Sequence, residues 1–292
     1  MSPAAMKPVT RLGLQIPNFT FPGVADADLF ETIAGIAITA DNHGFDSLWV
    51  MDHLYQIEVV GPREHPMLEA YTLLGALASR TRDIALGTMV TGVTYRNPAL
   101  LAKIVTTLDI ISSGRAILGI GAAWNDDEHA GYGYDFPTAK ERLDRLEEAL
   151  QIIPAMFTEE TPSFQGRHYR IQEVLNNPKP VRGRIPVLIG GGGEKRTLRL
   201  VAQYGDACNL FGGPDEVRHK LDVLERHCAD VGRDPAEITK TILYTVRDPM
   251  QAAEKIAAYT AIGVDGVVVN LPDVADLDKV ATTGETLRKV LP

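Results

Sequence analysis

Two titratable side chains stand side by side at Asp52-His53, where an apolar run at residues 45–51 ends. An acid next to an imidazole at the end of a buried strand suits proton chemistry. Histidine changes charge near neutral pH, and the rim where barrel strands end is where catalytic groups are placed. The plainer reading is a strand end that meets water. Four consecutive glycines, Gly190-Gly191-Gly192-Gly193, carry the most specific local signal. Bare glycines let backbone N–H groups approach an anion, and the start of the helix that follows adds a favourable dipole. A turn alone is a poor reason for four glycines, because each loses much conformational freedom on folding. The run therefore reads as a phosphate site. Lys195, Arg196 and Arg199 follow it, either as a solvated helix face or as partners for further anionic groups of the same ligand.

Other stretches carry weaker signals. Gly87 and Gly92 flank Thr88-Met89-Val90-Thr91, which permits a bulge or the close approach of a flat ligand, or is an ordinary strand end. In Trp124-Asn125-Asp126-Asp127-Glu128-His129 the acids and the imidazole are neighbours, and neighbours seldom converge on one ion. Acids opening a helical turn suffice to explain them, so no metal site is expected. The sequence has no Gly-x-Ser-x-Gly, no His-Glu-x-x-His and no cysteine beside a base. Cys208 and Cys228 read as small packing residues.

The elements that must position these residues alternate strictly. Strands are expected at 11–16, 45–51, 84–90, 116–120, 185–189, 206–210, 240–244 and 264–270. Helices are expected at 26–42, 65–81, 98–112, 138–157, 195–204, 215–230, 250–262 and 274–291. Strand–helix alternation implies a parallel sheet with right-handed crossovers, and eight units suggest a closed (β/α)8 TIM barrel. No Gly-x-Gly-x-x-Gly follows the first strand, which speaks against an open dinucleotide-binding sheet. The alternation pauses at residues 158–184, a loop region inserted after the helix that follows strand four, read as an insertion or lid. Residues 1–292 are expected to be one barrel domain, with 1–10 a loose lead-in.

The length of 292 residues suits a barrel that needs about 250. A hydrophobic content of 45% allows a full core. The net charge of −9 argues against nucleic acid and against an anionic membrane surface as partners. No apolar run is long enough to span a membrane, and residues 1–8 lack the apolar core of a signal peptide. Two cysteines make no disulfide framework, so a cytoplasmic location is expected.

Taken in order, several motifs resemble a known family. They are Phe45-Asp46-Ser47-Leu48-Trp49-Val50-Met51-Asp52-His53-Leu54, then Leu86-Gly87-Thr88-Met89-Val90, then Asn97-Pro98-Ala99 with Leu101-Ala102-Lys103. Leu108-Asp109, Ser113-Gly114-Arg115 and Leu118-Gly119-Ile120-Gly121-Ala122-Ala123-Trp124 follow. Asn177-Pro178-Lys179-Pro180 and Pro186-Val187-Leu188-Ile189-Gly190-Gly191-Gly192 complete the set. The chain is similar over nearly its whole length to the luciferase-like monooxygenase superfamily, in its branch of coenzyme F420-dependent oxidoreductases.

The resemblance implies a barrel holding a deazaflavin or flavin at its C-terminal rim. It implies that His53 is catalytic and that Asp52 lies beside the cofactor ring. It implies a bulge with a non-proline cis peptide at Met89-Val90 behind the ring, and phosphate binding by Gly191, Gly192 and Gly193. Asp127 matches a polar cofactor contact in the loop after strand four. Sugar-phosphate dehydrogenases of the family carry a tryptophan where this chain has Ile57 and a catalytic glutamate where it has Trp124. Ile57 and Trp124 are therefore expected in the substrate pocket, and glucose 6-phosphate oxidation is not carried over. The expected activity is F420-dependent hydride transfer to or from a small organic substrate. The alternatives are an FMN-dependent monooxygenase working with a partner flavin reductase, and a cofactor carrier without activity. Family members are often homodimers.

Overall fold

The computed structural model describes residues 9–291. In chain order the strands are β1 (Leu12–Ile16), β2 (Ser47–Val50), β3 (Ala85–Thr88), β4 (Thr91–Gly92), β5 (Ala116–Gly121), β6 (Phe164–Gln165), β7 (Arg170–Ile171), β8 (Val187–Gly190), β9 (Ala207–Leu210), β10 (Thr239–Thr245) and β11 (Gly266–Asn270). The helices are α1 (Leu29–Asn42), α2 (Ala70–Ala78), α3 (Pro98–Ile111), α4 (Asp127–Tyr132), α5 (Ala139–Thr158), α6 (Thr197–Tyr204), α7 (Pro214–Val231), α8 (Pro249–Thr260) and α9 (Leu277–Leu287). All strands but β6 and β7 join one parallel sheet in the order β3-β2-β1-β11-β10-β9-β8-β5-β4. Pairing of Leu86 with Ala116 and of Gly87 with Ile117 joins β3 to β5 and closes the barrel.

The strands read as apolar runs because both their faces are covered. Inside the barrel Trp49, Ile117, Leu188, Ala207 and Val268 pack against one another, while a larger cluster fills the space between strands and helices. The expected strand four differs little from β5. Strand three is interrupted, its continuation β4 pairing with β5 after a bulge at Met89-Val90. Gly119 is what admits this bulge, since a Cβ there would sit 1.8 Å from the Thr88 carbonyl oxygen.

Segment 158–184 contains an antiparallel hairpin, β6 with β7. The Glu148 carboxylate of α5 accepts the N–H groups of Arg167 (2.7 Å) and Tyr169 (2.9 Å) and so clamps the turn. Asn176 donates to the Thr106 hydroxyl of α3 and to the Met156 carbonyl of α5. The Tyr169 hydroxyl reaches the Val93 carbonyl at the rim, 3.4 Å away. Residues 1–8 of the expected lead-in lie outside the described residues. Thr10 is not loose: it is buried and bonded to Asp46 and Ser47. No helix among the described residues is long and apolar enough to cross a membrane.

Candidate active site

The C-terminal ends of β2, β3, β5, β8 and β9 surround a cavity of about 280 Å³. It is lined by Asp52, His53, Met89, Val90, Trp124 and Gly191 among the sequence-predicted residues, and by Tyr95, Thr197, Asn209 and Phe211 among those not foreseen. A larger cavity of about 590 Å³ lies at the opposite, N-terminal mouth, lined by Arg11, Asp46, Arg115 and Asp206. Barrel chemistry belongs to the C-terminal rim, which is where the predicted residues converge.

His53 follows β2 into this rim with its side chain 14% exposed. Its Nδ1 lies 2.6 Å from Oε1 of Glu128, which is fully buried at the start of α4. The carboxylate's second oxygen accepts the Leu54 N–H at 2.5 Å. A carboxylate facing Nδ1 takes that nitrogen's proton in a hydrogen bond, so it fixes the ring orientation and leaves Nε2 for another partner. Burial pushes the Glu128 carboxyl up, but hydrogen bonds from His53, Tyr95 and the Leu54 N–H outweigh it and hold the group below its ordinary value of 4.5.

This depression has a sign that can be tested. A carboxylate depressed in the folded state adds stability above its unfolded value, and that stability is lost as pH falls through the folded value. Glu128→Gln is expected to destabilise the protein by about 1.5–3 kcal/mol at neutral pH, the range for a hydrogen bond to a charged group. The gap from wild type should narrow as the pH drops below about 4.5. Urea denaturation across that range measures it. A gap that does not change with pH would remove the charge from the explanation.

Asp52 is 2% exposed and both its oxygens are engaged by Arg96, at 2.6 and 3.1 Å. Arg96 also donates to Glu69 at 2.6 Å and lies over the Tyr71 ring, 4.9 Å from its centre. Burial pushes the Asp52 carboxyl above its ordinary range against the pull of Arg96. Asp52 therefore forms the wall of the cavity as one half of an ion pair.

At the end of the neighbouring strand β3 the peptide between Met89 and Val90 is cis, and the Met89 carbonyl accepts from Gln15 Nε2 at 3.4 Å. Gly190 belongs to the same arrangement, since a Cβ there would meet Val90 Cγ2 at 2.8 Å. Ala123 adopts a left-handed φ of 61° and turns the chain so that Trp124 stands edge-on to His53, with ring centres 5.6 Å apart. Trp124 is 61% exposed.

The glycine turn leads from β8 towards α6. Among the described residues, the N–H groups of Gly192 and Gly193 meet no hydrogen-bond acceptor. Lys220 reaches across from α7, and a Cβ on Gly192 would lie 2.9 Å from its Nζ. The lysine is held by Glu216 at 2.9 Å. A cation beside free N–H groups fits an anion. Asn209 gives its amide nitrogen to Thr241, and its Oδ1 is buried without a partner at the cavity wall.

Several expected residues lie elsewhere. Asp127 does not line the cavity but pairs with Arg63 at 3.2 Å. Ile57 is buried under its own turn, its carbonyl accepting the Val60 and Gly61 N–H groups, and it does not line the cavity either. Gly192 and Gly193 adjoin the cavity next to Gly191 without lining it. Arg196 leaves the glycine turn for Asp144 and Glu147 of α5. His129 is buried, with Nδ1 bonded to the Asn125 carbonyl and Nε2 to the Thr94 hydroxyl, so it pins the loop. Glu128, Arg96, Lys220 and Asn209 escaped the sequence reading. For Asn209 a signal existed, a lone amide inside the apolar run Ala207-Cys208-Asn209-Leu210.

The geometry can be set beside known proteins. The luciferase-like monooxygenase family model matches residues 10–287. An F420-dependent glucose-6-phosphate dehydrogenase of Kineococcus radiotolerans is 32% identical over 229 residues, covering 76% of this chain and 66% of that protein. An F420-dependent secondary alcohol dehydrogenase, solved with an F420–acetone adduct, superposes with a TM-score of 0.77 at 19% identity, over 97% of this chain and 98% of that one. The oxygenating constituent of 3,6-diketocamphane monooxygenase of Pseudomonas putida, solved with FMN, gives 0.75 at 19% identity, over 96% and 97%. At these identities the two structures establish the shared barrel.

Proposed function

The chain belongs to the luciferase-like monooxygenase family, and from that premise we propose that it is an F420-dependent oxidoreductase acting on a small organic substrate. The observation that carries the reading is His53, held through Nδ1 by buried Glu128 at 2.6 Å and lining the cavity at the C-terminal rim of the barrel. Relatives named as F420-dependent dehydrogenases at 30–34% identity support the cofactor class.

The residues present fit such a cofactor. The unpartnered N–H groups of Gly192 and Gly193, with Lys220, would hold its phosphate. The orphaned Asn209 Oδ1 offers an acceptor to an N–H of the ring, and Met89 and Val90 give it an apolar wall. Bound F420 supplies a hydride donor or acceptor at ring C5. The protein's own part is to orient and to manage the proton. Nε2 of His53 takes or gives the proton at the substrate oxygen, and Glu128 stabilises the charge that results on the imidazole. Trp124 would cover the mouth, and the 158–184 segment reaches the rim through the Tyr169 hydroxyl on the Val93 carbonyl without lining the cavity.

Gly192→Val is expected to weaken F420 binding at least about tenfold, since it crowds the anion and Lys220 and forfeits a charge-assisted hydrogen bond of about 1.5–3 kcal/mol. Lys220→Ala should act in the same direction. Fluorescence quenching on titrating F420, and separately FMN, into the purified protein measures both. Unchanged F420 affinity with the fold intact by circular dichroism would remove the phosphate site. Tight FMN binding with no F420 binding would favour the monooxygenase reading instead.

A further inference from the structure

The cavity mouth differs sharply in chemistry from the sites of enzymes that take charged substrates. Among the described residues, no lysine or arginine lines it. Arg96, behind Asp52, is consumed by Asp52 and Glu69. Arg63 is paired with Asp127 and lies 4.6 Å above the Tyr55 ring. Lys220 stands at the glycine turn, bound to Glu216. Lys195 and Arg199 are exposed and do not line the cavity. Beyond the cofactor phosphate placed at the glycine turn, a further phosphate or carboxylate buried here would meet no free cation among the described lining residues, which is strongly unfavourable.

What the mouth does offer is aromatic and apolar surface. Trp124 and Phe211 both line it while remaining 61% and 50% exposed. Two large exposed aromatic side chains on one cavity are surface that a ligand would cover. Two uncommitted polar atoms of the described lining are Asn209 Oδ1, given above to the cofactor ring, and His53 Nε2, whose ring stands edge-on to the Trp124 indole and which is left for the substrate. Pockets of this kind bind through apolar walls and fix orientation with one or two polar groups.

We infer that the substrate is a neutral, largely apolar molecule with one hydroxyl or carbonyl oxygen. It lies against Trp124 and Phe211 with that oxygen on His53 Nε2, and it is not a phosphorylated or carboxylated compound. The inference rests on the cofactor reading above and deepens it. It also gives the chain's departure at Trp124 a physical meaning, since an indole replaces the glutamate that the resemblance places in sugar-phosphate dehydrogenases.

The test is ligand binding by saturation-transfer NMR on the F420-loaded protein. Cyclohexanone and 2-octanone are the neutral probes, and glucose 6-phosphate is the phosphorylated one. Both neutral probes should receive transfer and glucose 6-phosphate should not. Trp124→Ala should weaken the neutral probes about tenfold, the scale of losing one large aromatic contact, while F420 quenching stays within about twofold of wild type. Tighter binding of glucose 6-phosphate than of either neutral probe would overturn the inference. So would neutral-probe affinities equal to wild type in both Trp124→Ala and Phe211→Ala. If F420 fails to quench at all, the cofactor reading falls. The same titration on the FMN-loaded or cofactor-free protein then decides the substrate class by the same outcomes.

Discussion

His53→Ala is expected to lower turnover at saturating F420 by about 10²–10⁴-fold, the usual contribution of a general acid or base. F420 affinity should stay within about twofold, because an interaction made in the transition state shows in turnover and not in ground-state binding. The structure sharpens this expectation. Glu128 fixes the ring through Nδ1, so the imidazole has no need of the ligand for its orientation. If His53 were only a strut for the strand end, the alanine variant would lose stability or cofactor affinity and keep its turnover. Single-turnover reduction or reoxidation of F420, with a neutral alcohol or ketone as the partner, separates the two. A turnover change below about fivefold, well under that acid–base range, would leave His53 as a cofactor contact only.

Arg96→Met should produce the largest loss of stability, about 3–5 kcal/mol, because it strands Asp52 as an uncompensated charge in a buried site. The sign with pH follows from Asp52. Burial already raises its carboxyl above the ordinary range, and removing the guanidinium would raise it further. An acid whose folded value is raised is least harmful when protonated, so the deficit of Arg96→Met should shrink as the pH is lowered. Asp52→Asn combined with Arg96→Met should recover much of the loss, since a neutral amide needs only hydrogen bonds. Chemical denaturation of the two variants at neutral and mildly acidic pH measures this. A double variant no more stable than the single one would show that Arg96 acts by packing on Tyr71 and not by charge.

The order of elements was legible because each strand, covered on both faces, is a short apolar run ended by a turn signal, and each helix carries its own period. The barrel, the rim position of His53, the glycine turn and the Met89-Val90 bulge all follow from local sequence or from motifs taken in order. Segment boundaries were less legible. The helix expected over 65–81 narrows to α2, because Glu69 caps it with a side-chain bond to the Thr72 N–H. Of the short helix α4 only the acidic opening turn was legible, since its 6 residues are too few for a period to show.

What the sequence could not give is which distant side chains meet. Glu128 sits in a run of acids that reads as a helix start, and it does occupy the first turn of α4. Its full burial against His53, 75 residues away, depends on the loops that follow β2 and β5 converging at the rim, on either side of β3. The same holds for Arg96 on Asp52 and for Lys220 beside Gly192, each brought in by a different crossover. Arg196 shows the converse: adjacent in sequence to the phosphate turn, it is drawn off to α5 by Asp144 and Glu147. Periodicity along a chain reports which face of an element is buried. It carries no information about partners on other elements, because those are set by strand register and crossover geometry once the barrel closes. The sequence by itself thus determined the scaffold and the positions at its rim. The tertiary structure alone decided that His53 is held by a carboxylate, that Asp52 is held by a guanidinium, and that the mouth above them is aromatic with no lysine or arginine among its described lining residues.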